Sequence, residues 1–136
     1  MNALIIGGTR GIGKATADLL QSHDWQVVAY GRQQFDVVAR NGGDVFTLLS
    51  DAERVGEYDA LIYSAGDIFP IGLYQFQYAL SFYNLVNEYG KRILNDGAMI
   101  LPISSVAAGR PAKQNPHYAA AKAALESYAL TLLYSD

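Results

Sequence analysis

Tyr118 and Lys122 stand four residues apart, so on a helix their side chains share one face. A phenol beside an ammonium suits proton transfer. A free phenol ionises only near pH 10, roughly three units above neutrality, and a neighbouring cation makes the phenolate easier to form. Ser105 lies thirteen residues upstream of Tyr118, just past an apolar run, where its hydroxyl can hydrogen-bond and orient the oxygen of a carbonyl or an alcohol. With ten tyrosines and four lysines in 136 positions, chance alone yields about 0.3 such Tyr-Lys pairs, so the pair gains meaning from its surroundings.

The second constellation is Gly7-Gly8-Thr9-Arg10-Gly11-Ile12-Gly13, between a short apolar run and a helical pattern. Gly7 permits a tight turn, Gly11 lets backbone approach a phosphate, and Gly13 allows close packing of helix on strand. The amides of the helix N-terminus then face an anion, which is where a doubly wound fold holds a dinucleotide pyrophosphate.

Four apolar runs supply the scaffold: Ala3–Ile6, Gln26–Tyr30, Ala60–Ser64 and Ala98–Ile103. Each is continuous rather than alternating, as expected of strands buried on both faces of a parallel sheet. A first helix over about Ile12–Ser22 would turn Ile12, Ala15, Thr16, Leu19 and Leu20 inward. Between Gly31 and Asp59, Arg40-Asn41-Gly42-Gly43 interrupts any helix, leaving a short strand at Phe35–Val38 and a helix at Val45–Arg54. Leu73–Leu94 has the length of one long helix or of two with a break, and Asn95-Asp96-Gly97 predicts a turn before the fourth strand. A helix runs from His117 to about Leu133, with Asn115-Pro116 as its start signal. The expected fold is a single α/β domain over 1–136, a shortened doubly wound Rossmann-type sheet of about five parallel strands with helices on both faces.

Composition narrows the function. Ten basic against thirteen acidic residues give a net charge of −3, with no basic block to attract nucleic acid. Zero cysteines exclude disulfides, thiolate metal sites and a cysteine nucleophile, and suit a reducing cytoplasm. Two histidines, His23 and His117, are too few for a histidine metal cluster, and no metal site is expected. The first residues lack the basic start of a signal peptide, and no apolar stretch approaches the roughly 18 residues of a membrane span.

The glycine spacing, Gly-x-x-x-Gly-x-Gly, resembles that of the short-chain dehydrogenase/reductase family, and the resemblance continues in order through most of the chain. Tyr63-Ser64-Ala65-Gly66 is similar to the family's Asn-Asn-Ala-Gly strand end, Ile103-Ser104-Ser105 to its serine segment, and Tyr118-Ala119-Ala120-Ala121-Lys122 to its Tyr-x-x-x-Lys. Ile6 replaces the family's Thr before the first glycine, and Ser64 replaces its second Asn.

The resemblance implies hydride transfer between a nicotinamide cofactor and a small carbonyl or alcohol. Ser105, Tyr118 and Lys122 would be catalytic, with Lys122 also reaching the nicotinamide ribose. Gly7, Thr9, Arg10, Gly11, Ile12, Gly13, Ser64, Ala65 and Gly66 would hold the cofactor. Arg32, after the second strand, and Arg10 favour the 2'-phosphate of NADP(H) over NAD(H). Adenine would meet Asp36 or Asp44, of which Asp36 fits the spacing better. The family's further Asn, part of a proton relay, has no clear counterpart: the usual interval from Ser105 falls near Gln77, and Asn84 is the candidate, with Asn87 beside it.

The chain ends at Asp136, fourteen residues beyond Lys122, where the family continues with two more strands and a substrate loop. A C-terminally short member would leave Ala98–Ile103 at an exposed edge and the cleft without one wall. That implies a partner, and the family dimerises through helices here represented by 73–94 and 117–133. Phe69, Tyr74, Phe76, Tyr78, Phe82, Tyr83 and Tyr89, with Tyr128 and Tyr134, fit an interface or pocket as well as an aromatic core. The alternative to an NADP(H)-dependent oxidoreductase is an NADP(H)-binding relative without efficient turnover.

Overall fold

The computed structural model describes residues 1–31, 57–66, 75–110 and 113–134. Its centre is a parallel sheet of β1 (Asn2–Ile6), β2 (Gln26–Tyr30), β3 (Tyr58–Tyr63) and β4 (Leu94–Pro102), in the order β2-β1-β3-β4. The chain runs outward from β1 in both directions, so the order reverses between β1 and β3. In parallel α/β sheets that reversal opens a crevice at the carboxyl ends of the strands.

The two inner strands are apolar on both faces, and the helices explain why. Leu4, Ile6, Leu61 and Tyr63 point to one face, where they meet α2 (Gln75–Asn84) and α4 (Pro116–Leu133); Phe82, Leu85, Tyr89, Ile93 and Leu125 complete that core. Ile5 and Ile62 point to the other face and pack on Ala17 of α1 (Gly11–Ser22). The sheet is therefore covered on both sides, as the apolar runs require. The outer strands differ from expectation. β2 is half-buried, and β4 leaves Met99, Ile100 and Leu101 exposed, so continuous apolar sequence here does not mean burial on two faces.

Four strands are present among the described residues, against the five expected; the strand read at Phe35–Val38 and the helix read at Val45–Arg54 lie outside them. The inward face of α1 also needs correction. Ile12 is 62% and Leu19 59% exposed, Ala15 is exposed and Thr16 half-buried, while Gly13 and Ala17 are buried and Leu20 packs beside them. Small residues occupy the contact because the helix sits close to the sheet, and a larger side chain there would lever it away.

Within Leu73–Leu94, the described residues form α2, a π-turn (Leu85–Tyr89) and a short α3 (Gly90–Ile93). The break foreseen within this stretch is thus a π-turn, which accommodates an extra residue without ending the helix. Leu85 and Val86 are both buried, as are Tyr89 and Gly90, so the apolar face stays on the sheet across the insertion. Asn95-Asp96-Gly97 does not precede β4 but lies inside it, as an irregularity: β3 advances from Tyr58 to Ala60 while β4 advances from Leu94 to Met99, and Gly97 takes φ +79°. A left-handed backbone favours glycine, which is why this bulge carries one. Asp59 closes the same end by accepting the Asn2 amide at 2.7 Å and the Asn95 side chain at 2.8 Å.

Candidate active site

Three chain segments meet at the carboxyl ends of the strands. Gly7 and Gly8 donate their amides to the Tyr30 carbonyl at 2.8 and 3.1 Å, Ser64 donates to Ile6 at 2.8 Å, and Ile103 donates to Tyr63 at 2.8 Å. Sheet pairing thus extends past the strands and draws the glycine loop, the Ser64-Ala65-Gly66 segment and the serine segment together.

The loop's glycines are required by space. Gly7 has φ +83°, and a Cβ there would stand 2.7 Å from the Ala65 amide nitrogen; a Cβ on Gly13 would fall on the Gly7 carbonyl oxygen. Helix, loop and the neighbouring strand end are in backbone contact, which leaves the N-terminus of α1 open toward the crevice. No acidic residue stands in the first turn of α1. Its first amides have no intrahelical partner, and the exposed Arg10 at the N-cap adds a positive charge. Such an end fits an anion such as pyrophosphate. Thr9 and Ile12 lie on the exposed rim of this loop.

On the other side of the crevice, α4 begins at Pro116 with Asn115 as its cap, whose side-chain oxygen accepts the Tyr118 amide at 3.2 Å. Proline in the first turn loses no helical hydrogen bond, and the cap satisfies a donor that would otherwise be orphaned. This start, foreseen from Asn115-Pro116, places Tyr118 in the first turn and Lys122 one turn on. The Lys122 ammonium lies 5.7 Å from the centre of the Tyr118 ring and donates to the Ile103 carbonyl at 2.9 Å. It also borders Gly66, where a Cβ would be 3.1 Å from Nζ. Burial pushes the Lys122 pKa below the ordinary lysine value, because water is withdrawn from the charged form.

Ser105 caps a 3-10 turn (Val106–Ala108), its hydroxyl oxygen accepting the Ala107 amide at 3.2 Å. That bond uses a lone pair and leaves the hydroxyl proton available for donation. The Ser104 hydroxyl donates to Glu126 of α4 at 2.8 Å.

Gly66, Gln75, Tyr78, Ala79, Tyr118, Ala121, Lys122 and Leu125 line a small open cleft between α2, α4 and the end of β3. Tyr118, Lys122 and Gly66 are thereby brought together, and Asn84 is not among the lining residues. Instead Gln75 contributes the amide side chain of this wall, at 2% exposure. The signal for Gln75 was present in the sequence: it occupies the same row as Ala79, Phe82 and Val86, a polar residue in phase with a buried face. Arg32, Asp36 and Asp44 lie outside the described residues.

The aromatic group divides between the two roles open to it. Phe82 and Tyr89 are core, Tyr63 packs on Phe82 with ring centres 5.3 Å apart, and Tyr83 stacks on Tyr128 at 4.8 Å, joining α2 to α4. Tyr78 lines the cleft and its carbonyl accepts the Tyr63 hydroxyl at 2.8 Å. Burial raises the Tyr63 pKa well above the ordinary phenol value. Phe76 meets His117 edge-on at 6.3 Å, and Tyr134 is exposed; Phe69 and Tyr74 lie outside the described residues. Among the described residues no group of acidic or histidine side chains is arranged for a metal, and no helix is long and apolar enough to cross a membrane.

No protein-family model and no curated protein matches the sequence. Solved structures do. A small-chain dehydrogenase is similar at 26% identity and a TM-score of 0.74 over 97% of this chain and 74% of that one. A small-chain dehydrogenase in complex with NADPH matches at 26% identity and a TM-score of 0.75, over 97% of this chain but 63% of that one. A short-chain dehydrogenase/reductase from Brucella ovis shares the fold at a TM-score of 0.80 and 20% identity, over 96% of this chain and 74% of that one.

Proposed function

We propose that the chain, which is 26% identical to two small-chain dehydrogenases of known structure, is a member of the short-chain dehydrogenase/reductase family and an NADP(H)-dependent oxidoreductase acting on a small carbonyl or alcohol. The observation that carries this reading is the placement of Lys122, whose ammonium touches the Ile103 carbonyl and lies beside both Gly66 and the Tyr118 ring. One cation thus joins the cofactor-side strand end to the proton-transfer phenol.

Gly7, Thr9, Arg10, Gly11, Ile12 and Gly13 would hold the pyrophosphate on the α1 N-terminus, and Ser64, Ala65 and Gly66 would border the nicotinamide half. The nicotinamide, when bound, supplies or accepts the hydride. Ser105 donates its hydroxyl proton to the substrate oxygen and orients it. Tyr118 then passes a proton to that oxygen in reduction or removes one in oxidation, and the Lys122 ammonium stabilises the phenolate this leaves. Lys122 is also the residue suited to the ribose hydroxyls. Asn84 stays the candidate for the relay amide, and Gln75, which lines the cleft, is a second amide on the same helix.

Preference for NADP(H) is supported by Arg10 at the exposed N-cap and by Arg32 and its position in the sequence after β2, with Asp36 as the adenine partner. One similar structure holds NADPH and another, from Brucella ovis, a partially ordered NAD. A homodimer through 73–94 and 117–133 and a cytoplasmic location belong to the same reading, supported by exposed Phe76, Leu80 and Leu130 and by the absence of cysteine.

Carbonyl-dependent oxidation of NADPH tests the reading. Tyr118→Phe should lower turnover about 100-fold or more while NADPH still binds, the range expected for loss of a general acid. Turnover unchanged in that variant refutes the assignment of Tyr118. Arg32→Asp should weaken NADPH far more than NADH; equal losses refute the cofactor preference. A strict monomer at micromolar concentration by light scattering refutes the dimer.

A further inference from the structure

Two successive turns of α4 reach two successive residues at the end of β4. Lys122 donates to the Ile103 carbonyl at 2.9 Å, and four residues later Glu126 accepts from the Ser104 hydroxyl at 2.8 Å. The first bond runs from helix to strand and the second from strand to helix. Ile103 is held on both sides, its amide donating to the Tyr63 carbonyl and its carbonyl accepting from Lys122, and the Ser104 bond extends that anchoring one residue further, to the neighbour of Ser105.

The next residue is Ser105. Its hydroxyl oxygen accepts the Ala107 amide at 3.2 Å and its carbonyl accepts the Ala108 amide at 3.1 Å, so its orientation follows the strand end that delivers it. Tyr118 is fixed at the start of α4 by the Asn115 cap. The covalent route from Ser105 to Tyr118 is thirteen residues long, whereas the route through Ser104 and Glu126 crosses directly to the same helix. Glu126 takes no part in the proton chemistry itself, and a carboxylate acceptor makes its bond to Ser104 stronger than a neutral pair would be.

We propose that Glu126 is a positioning residue that acts through Ser104 to hold Ser105 in register with Tyr118. The proposal rests on the oxidoreductase reading above, which Ser105 and Tyr118 serve. The Ser104–Glu126 bond is exposed, so its loss should cost roughly threefold to tenfold rather than abolish function.

The test uses the intact protein with Glu126→Ala, Ser104→Ala, the double variant and Glu126→Gln, which keeps an acceptor oxygen. Two readouts run in parallel: hydrogen exchange at the Ala107 and Ala108 amides without ligand, and kcat, KM and NADPH affinity with a carbonyl substrate. Glu126→Ala and Ser104→Ala should each speed exchange and lower kcat roughly threefold to tenfold, with NADPH affinity unchanged. The double variant should be no worse than either single one, and Glu126→Gln should stay near wild type. Unchanged exchange in the single variants, additive losses in the double variant, or no rescue by glutamine would each overturn the proposal. Exchange that follows the expected pattern in a protein that shows no carbonyl-dependent oxidation of NADPH would support the cross-link and refute the oxidoreductase reading instead.

Discussion

Gly66→Ala offers a sharp test of how tightly Lys122 is confined. A Cβ at Gly66 would stand 3.1 Å from Nζ, whereas ordinary contact begins at 3.4 Å, so the ammonium must yield by a few tenths of an ångström. Its bond to the Ile103 carbonyl is 2.9 Å, and N–H···O bonds weaken beyond about 3.2 Å. A displacement of that size therefore forfeits part of a hydrogen bond whose full value, for a charged donor, is about 1.5–3 kcal/mol. Losing about 1 kcal/mol of pre-organisation corresponds to roughly a fivefold weaker Kd for NADPH. Gly66 has no left-handed backbone angle to defend, so alanine there adds no backbone strain, and Tm should fall only by the roughly 2–5 °C that about 1 kcal/mol of lost hydrogen bonding costs. Fluorescence titration of NADPH reads the change. The same substitution in a Lys122→Ala background should be nearly silent, because the atom it displaces is gone. An equal loss in both backgrounds would refute the reasoning and show that the methyl obstructs the crevice directly; no loss in either would show that the ammonium is not confined.

Other consequences are independent of turnover. Burial, with Tyr30 nearby, pushes the Tyr58 pKa up to about 12, above its unfolded value, so the fold loses stability as pH rises from about 10 through 12; Tyr58→Phe should flatten the fall of Tm over that range, and an unchanged slope refutes the burial effect. The Asn2 amide and the Asn95 side chain hold the Asp59 carboxyl below the ordinary carboxylate range, so its contribution is present above about pH 4 and lost as pH falls through the lowered value. Asp59→Asn should make acid unfolding less steep, which a Tm series in acid would check. Phe82→Ala, at a fully buried ring between sheet and helices, should cost about 3–5 kcal/mol in urea unfolding, and a cost below about 1 kcal/mol would contradict its place in the core. Gly13→Ala puts a Cβ onto the Gly7 carbonyl, so NADPH binding should fall more than tenfold; binding at wild-type strength would show that the loop can move aside.

Much of this architecture is legible in the sequence because local chemistry and global fold agree there. Asn115-Pro116 marks the start of α4 by a cap and a preset backbone angle, both local effects. The boundaries of β1 and β2 follow from apolar runs that end at glycine loops or turns. What is misread depends on distances between elements. Nothing local distinguishes Ile12 and Leu19 from core residues; only the close approach of α1 to the sheet, which selects Gly13 and Ala17, leaves them exposed. Asn95-Asp96-Gly97 has turn chemistry, but pairing with β3 on either side absorbs it into β4 as a bulge. The relay Asn is hard to place by its spacing from Ser105, because the π-turn lies between Ser105 and the position near Gln77 where that interval falls; the burial phase of α2 marks Gln75 as an amide in the cleft wall.

The same contacts explain why the site sits where it does in the energy balance of the fold. Lys122 is held in surroundings that disfavour its charge, since burial lowers its pKa while one carbonyl, that of Ile103, compensates only in part. Its unfolded form binds the proton more readily than the folded form, so this residue opposes folding at neutral pH and does so less as pH rises toward the ordinary lysine value. A fold selected for stability alone would place an apolar side chain at 122, as it does at Leu125 one turn on. A half-buried cation is instead retained at the meeting point of Gly66, Ile103 and Tyr118, and the surroundings are arranged to hold it: Asn115 fixes the helix, and Glu126 ties its next turn to the same strand end. Local destabilisation with several independent supports is the pattern of a group kept for its chemistry. It favours a role for Lys122 in proton transfer and cofactor binding over one in packing.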